Sequence, residues 1–159
     1  MYSTPQHLEK LLPNTDLLIG AVLVPGSEAP KLVTRRMLRL MPRGSVFVDV
    51  AVDQGGCGET TRPTTHEDPV YVEEGVVHYC VANMPGAYAR TSTEALANAT
   101  REAVLTLADL GVAAACRQDP ELWDAVQCAE GKLTCQAVAD SLHLPFTPIR
   151  DVLSPETES

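Results

Sequence analysis

Three stretches of the chain are almost free of polar side chains: Asp16 to Val24, Ser45 to Val52 and Val76 to Val81. The first two are nearly continuous apolar runs rich in β-branched residues. Runs of this kind suit strands covered on both faces, as in parallel α/β sheets. Helical spacing falls between them. Ser3-Thr4-Pro5 followed by Leu8, Leu11 and Leu12 predicts a capped helix with Pro5 in its first turn. Pro30 opens a second helical pattern over Lys31 to Met41, which Pro42-Arg43-Gly44 closes. The order is helix, strand, helix, strand, loop, strand. With right-handed crossovers this predicts part of an open, mainly parallel sheet.

The pattern changes after Pro85-Gly86. Leu96, Val104, Leu105, Leu107 and Ala108 recur at helical spacing over Thr93 to Leu110, with Thr91 or Ser92 as cap and Gly111 as stop. Glu121 to Cys128 and Lys132 to Leu142 predict two further helices, and the tail from Ser154 is polar. The pattern therefore divides into an α/β half, about 1–86, and a helical half, about 87–159.

Composition narrows the class. An apolar share of 45% is too high for a disordered chain. No run approaches the ~18 apolar residues of a membrane span, and no signal peptide is visible at the N-terminus. A net charge of −9 with only 12 Lys and Arg argues against a nucleic-acid-coating surface. Five cysteines, without a CxxC pair, fit reduced thiols in a cytosolic setting. Cys57, His66, His78 and Cys80 form the nearest potential metal cluster, but their spacing matches no standard zinc pattern, so no metal is expected.

If the sheet is parallel, three loops rich in small residues leave it at one edge, where ligands bind such folds. They are Val24-Pro25-Gly26-Ser27, Asp53-Gln54-Gly55-Gly56-Cys57 and Ala82-Asn83-Met84-Pro85-Gly86. Asp53, at the exit of an apolar strand, could act as acid or base or accept from a ligand hydroxyl. Asn83 offers an amide at the neighbouring strand end. Both also suit plain turns. Asp49, inside a strand, is expected to be bonded to backbone amides, since an unpaired buried charge is costly. His78 reads as a core or interface histidine. Arg62-Pro-Thr-Thr-His66 is either a charged loop or an arm over a ligand phosphate. No G-x-G-x-x-G turn is present to hold a pyrophosphate.

Taken in order, several runs are distinctive: Asp16-Leu-Leu-Ile-Gly-Ala-Val-Leu-Val-Pro-Gly, Val48-Asp-Val-Ala-Val-Asp-Gln-Gly-Gly-Cys, Glu59-Thr-Thr-Arg-Pro-Thr-Thr-His, Tyr79-Cys-Val-Ala-Asn-Met-Pro-Gly and Arg90-Thr-Ser-Thr-Glu-Ala-Leu. From about Tyr2 to Leu153 the chain resembles the C-terminal part of NAD-dependent alanine dehydrogenases. Transhydrogenase α subunits, which have a different loop and lack Arg-Pro-Thr-Thr-His, rank second. The resemblance implies an α/β fold: residues 1–88 as the second half of a Rossmann-type NAD domain, then residues 89–159 as the return helix and C-terminal part of a mainly helical substrate-domain segment. It implies oxidation of L-alanine to pyruvate and ammonia with NAD as hydride acceptor, in a cytoplasmic homo-oligomer, hexameric in the family.

By motif match, Asp53 takes the place of the catalytic aspartate beside the nicotinamide. Asn83 and Met84 match residues lining nicotinamide and substrate. Val22, Leu23, Val50, Ala51, Val52, Val81 and Ala82 match strand ends packed on the cofactor. Arg62 matches a cofactor-contacting arginine, and Ser3 a serine near the adenosine. None of the four histidines matches the family's acid/base histidine. Gly58 stands where the family usually has Phe, which is expected to loosen the loop beside Asp53. Glu28 stands where Lys is common, and reads as a surface change. The isolated chain is expected to be inactive. The alternatives are a non-enzymatic interaction module or one subunit of a split enzyme completed by an N-terminal chain.

Overall fold

A computed structural model describes residues 4–153. Its described residues form two compact units, 4–24 with 28–87, and 25–27 with 88–153.

In the first unit, Thr4 caps helix α1 (Pro5–Leu11) by accepting from the His7 amide, and Pro5 occupies the first turn, where a missing N–H costs nothing. Strands β1 (Leu17–Gly20), β2 (Val46–Asp49), β3 (Val70–Glu73) and β4 (Val76–Tyr79) form one sheet in the order β1-β2-β4-β3. β1, β2 and β4 run parallel, and β3 is antiparallel at the edge. The parallel core follows the apolar pattern. β3 does not, because Val70-Tyr-Val-Glu alternates and was masked by the polar loop before it. Its hairpin turn is Glu74-Gly75, with φ of 54° and 82°. Positive φ at both positions is what a two-residue turn of the primed type requires.

Two elements are shorter than the periodicity predicts. The apolar run through Val52 stops being a strand at Asp49, whose side chain accepts from the Ala51 amide and starts a 3-10 helix over Val50–Gln54. The pattern over Lys31 to Met41 yields only α2 (Arg35–Leu38), capped by Thr34. Leu32 and Val33 are extended instead, because their amides donate to the Cys57 carbonyl at 2.7 and 3.0 Å. An arriving backbone partner outweighs helical spacing there.

Strand register sorts the side chains. Leu18, Phe47, His78 and Tyr71 are cross-strand neighbours on one face. Phe47 and His78 are completely buried, and Phe47 packs in the core with Leu12, Leu38, Cys57 and Val76. The opposite face carries Leu17, Ile19, Val70 and Val72, exposed by 54%, 59%, 47% and 64%. The expectation of cover on both faces is thus met on one face within this unit.

The second unit contains α3 (Ala89–Gln118), α4 (Pro120–Ala125), β5 (Cys128–Ala129), β6 (Lys132–Leu133), α5 (Gln136–Leu142) and α6 (Ile149–Val152). α3 is interrupted at Gly111, with φ 73° and ψ 166°, where the sequence predicts a stop. Helix resumes beyond it. β5 and β6 replace parts of the two helices expected over 121–128 and 132–142. Their turn, Glu130-Gly131, again has positive φ at both residues. No helix among the described residues is long and apolar enough to cross a membrane.

Candidate functional site at the carboxyl ends of the parallel strands

Parallel pairing brings the chain exits of β1, β2 and β4 to one sheet edge, as the sequence pattern anticipates. Beyond β1 and β2, Ala21, Val22, Leu23, Val50, Ala51, Asp53 and Gln54 line a cavity of about 300 Å³. Its surface is largely aliphatic. Leu23 and Val50 are exposed by 66% and 48%, a poor outcome for a Leu and a Val unless something apolar rests on them. Asp53 is exposed at the rim. The Gln54 side-chain oxygen is buried and has no hydrogen-bond partner among the described residues. Such an atom costs free energy until a donor reaches it.

The Asp53 loop is held from three sides. From within, the buried Asp49 carboxylate accepts from the amides of Ala51, Cys57 and Gly58 at 3.0, 2.8 and 3.3 Å. The Cys57 thiol donates to Asp49 Oδ1 at 3.4 Å. Burial, then the neighbouring Asp49 charge, pushes the Cys57 thiol up to about 12. From the flank, the Ala29 amide donates to the Gln54 carbonyl at 2.7 Å, and Val33 forms a parallel bridge with Gly58. From above, Lys31 Nζ donates to the Gly56 carbonyl at 2.8 Å and also to that of Gly55. Gly56 has φ 76°, and a Cβ there would run into Thr61 Oγ1 and lie 2.9 Å from Asp49 Oδ2. Only glycine satisfies both constraints.

Of the two departures from the family pattern, Gly58 lies on this loop and Glu28 lies beside it. A Cβ on Gly58 would come within 2.7 Å of Phe47 Cε1 and 2.9 Å of Thr61 Cγ2. The loop is therefore not loosened at Gly58, because the Phe47 ring already fills the space. Glu28 is exposed, and its side-chain carbons lie 3.7–3.8 Å from where a Gly55 Cβ would stand.

At the end of β4, Val81 is fully buried and Ala82 half-buried. Thr64 pairs beside them: its amide donates to the Cys80 carbonyl at 2.9 Å, and its carbonyl accepts from the Ala82 amide at 3.0 Å. Asn83 has φ 56°, a left-handed conformation that Asn tolerates. Its carbonyl accepts from Gly86 N–H at 2.9 Å and from His66 Nε2–H at 3.0 Å. Met84 begins a 3-10 helix over Met84–Tyr88. The Arg62–His66 run is thus a strap along the strand end.

Of the residues singled out from sequence, Val22, Leu23, Val50, Ala51 and Asp53 line one cavity. Val52 is 2% exposed and belongs to the interior. Val81, Ala82, Asn83 and Met84 form the next strand end, and Arg62 lies on Tyr71. Ser3 lies outside the described residues. Sequence reasoning missed Ala21 and Gln54 in the lining, although Gln54 adjoins Asp53. It also missed Tyr71, hidden in the unrecognised hairpin. Among the described residues no three His, Cys, Asp or Glu side chains converge to hold a metal.

Residues 1–136 match the family described as "Alanine dehydrogenase/PNT, C-terminal domain". The chain is 56% identical over 146 residues to an alanine dehydrogenase of Halomonas elongata, covering 92% of this chain and 39% of that protein. It is 51% identical over 153 residues to one of Mycolicibacterium smegmatis, covering 96% and 41%. A solved L-alanine dehydrogenase structure superposes with a TM-score of 0.74 at 46% identity, over 89% of this chain and 39% of that one. A transhydrogenase structure from Sinorhizobium meliloti is a weaker match, with a TM-score of 0.51 at 34% identity over 56% of this chain. The chain therefore spans about two fifths of the length of the curated relatives it matches.

Proposed function

Because the chain belongs to the alanine dehydrogenase/PNT C-terminal domain family, we propose that it supplies the nicotinamide side of an NAD-dependent L-alanine dehydrogenase site, interconverting L-alanine with pyruvate and ammonia. The observation that carries this reading is the cavity beyond β1 and β2, with an aliphatic lining and an exposed carboxylate at its rim. These residues fit a nicotinamide. Val22, Leu23 and Val50 suit the faces of a flat ring, and the Asp53 carboxylate stands at its edge. When bound, NAD supplies the hydride acceptor.

The residues of this chain bind and orient. Asp53, exposed and free of internal hydrogen bonds among the described residues, holds or exchanges a proton at the rim. Asn83 presents its amide from the neighbouring strand end to substrate and cofactor. Arg62 contributes a positive charge to an anionic part of the cofactor. The backbone ties around Asp53 fix the carboxylate without occupying it. The same reading places the protein in the cytoplasm and in an oligomer.

A second reading, one subunit or interaction module completed by another polypeptide, is favoured by β1. It is an edge strand of the described sheet, and Leu17 and Ile19 lie open on it.

The deciding experiment is titration of the folded chain with NADH, followed by nicotinamide fluorescence. Saturable binding that Leu23→Asp weakens supports the cofactor site. A folded chain without binding overturns it. Alanine-dependent NADH production is then measured with and without the portion of a relative that the chain does not span. Activity that appears only on mixing, and is lost in Asp53→Asn, supports both the role of Asp53 and the two-chain reading. Undiminished activity in Asp53→Asn would remove Asp53 from the chemistry.

A further inference from the structure

Arg62 stands on a three-layer stack. Its guanidinium carbon lies 4.0 Å from the centroid of the Tyr71 ring. Tyr71 in turn stacks on His78, with centroids 4.9 Å apart and an interplanar angle of 22°. His78 is completely buried and fixed at both ring nitrogens. Nδ1–H donates to the Val76 carbonyl at 3.0 Å, so Nε2 accepts from the Thr60 hydroxyl at 2.8 Å. The Tyr71 hydroxyl is fixed as well, accepting from the Arg62 amide at 3.0 Å and donating to the Thr60 carbonyl at 2.9 Å. The two rings beneath the guanidinium are therefore each held by two hydrogen bonds.

We infer that Tyr71 is the positioning residue for Arg62, holding its guanidinium over the ring so that its donors remain available to an anionic group of the nicotinamide cofactor. This rests on the cofactor reading above. An exposed arginine loses much rotamer freedom when it binds an anion. An aromatic face limits that freedom in advance, and does so through the π cloud rather than through the five N–H donors. A carboxylate partner would restrain the side chain too, but would occupy the donors and cancel the charge. Among the described residues Arg62 makes no ion pair, whereas Arg36, Arg39 and Arg90 each have one and Arg35 has two. Arg62 also begins the strap whose Thr64 pairs with the end of β4, which ties its position to the sheet edge where the proposed site lies.

Two readouts on the full chain test this. The first needs no cofactor. In side-chain NMR spectra the Arg62 Nε–H and Cδ–H signals, assigned by their disappearance in Arg62→Lys, should be shifted upfield by the Tyr71 ring current. Tyr71→Phe should keep that shift and Tyr71→Leu should lose it. The second is NADH affinity. Tyr71→Leu should weaken binding about three- to five-fold, the range a face-on cation–π contact commands, and Arg62→Leu at least as much. The double variant should be no weaker than Arg62→Leu alone, and Tyr71→Phe should bind nearly as the parent does. An unshifted Arg62 signal in the parent chain overturns the inference, as does an affinity that falls in Arg62→Leu but not in Tyr71→Leu. If the chain binds no NADH, the cofactor reading fails while the NMR readout still decides whether Tyr71 positions Arg62.

Discussion

Asp49 Oδ2 accepts the backbone amide of Cys57 at 2.8 Å, pinning the far end of the loop that carries Asp53 to the strand it leaves. The same carboxylate takes the amides of Ala51 and Gly58, so one buried side chain closes both ends of the turn. Asp49→Asn replaces one acceptor oxygen by an NH2 group, which faces N–H donors. Each stranded buried donor costs about 1–3 kcal/mol. The variant should unfold at clearly lower urea concentration than the parent, with NADH affinity falling as well, because the Asp53 turn loses its anchor.

Phe47 and Gly58 share one volume. Gly58→Ala places a methyl 2.7 Å from Phe47 Cε1 and 2.9 Å from Thr61 Cγ2, and overpacking of this kind costs about 1–3 kcal/mol. The larger Gly58→Phe should destabilise more in the parent background than in Phe47→Val, where the ring's space is vacant. A double-mutant cycle read by thermal unfolding should give a favourable coupling of at least about 1 kcal/mol. Simple additivity would mean that the two positions do not compete.

His78 makes stability depend on pH. Burial, first among its causes, holds its pKa below the ordinary 6.5. The unfolded chain takes up a proton near pH 6.5 while the folded chain resists it. The contribution of His78 is therefore complete above that pH and lost as pH falls below it, by at most about 1.4 kcal/mol per pH unit. Urea midpoints at pH 7.5 and 5.5 should separate more for the parent than for His78→Gln. Equal separation would mean that His78 is protonated in the fold.

The thiols should divide by burial. Cys57, Cys80 and Cys116 are buried and burial raises the pKa of each, whereas Cys128 is exposed. The thiolate is the reacting form, so alkylation at pH 8, mapped by mass spectrometry, should label Cys128 first. The three buried thiols should react only at the rate of unfolding. Rapid labelling of Cys57 would show that the Asp49 loop opens in the native state.

The apolar runs through Leu17, Val46 and Val76 made the parallel core legible, because strands with apolar residues on both sides have few other readings. Asp53 was legible as the first polar residue beyond one of them. What escaped notice depends on partners distant in sequence. Leu32 and Val33 have helical spacing, yet the Cys57 carbonyl draws both into extended backbone. Val50 and Val52 look like strand, yet the Asp49 side chain turns them into a 3-10 helix. The two Glu-Gly hairpins had a readable signal in the Gly, but Glu is an uncommon companion in a turn of positive φ, and β5 and β6 are only two residues long. Gly58 was misjudged because its fit is set by Phe47, on a different element.

The parallel topology also fixes when the site can exist during folding. β3 and β4 meet across a two-residue turn, a local closure of the microsecond class. Leu17 reaches Val46, and Val46 reaches Val77, only after whole crossover connections have closed. Pairings of that range are slow because loop entropy is lost before any contact forms. The cavity walls come from the ends of β1 and β2, and its neighbouring strand end from β4, so the cavity depends on these long-range pairings rather than on the local hairpin. A ligand that binds there stabilises those pairings, and its fluorescence in a refolding trace would time their arrival.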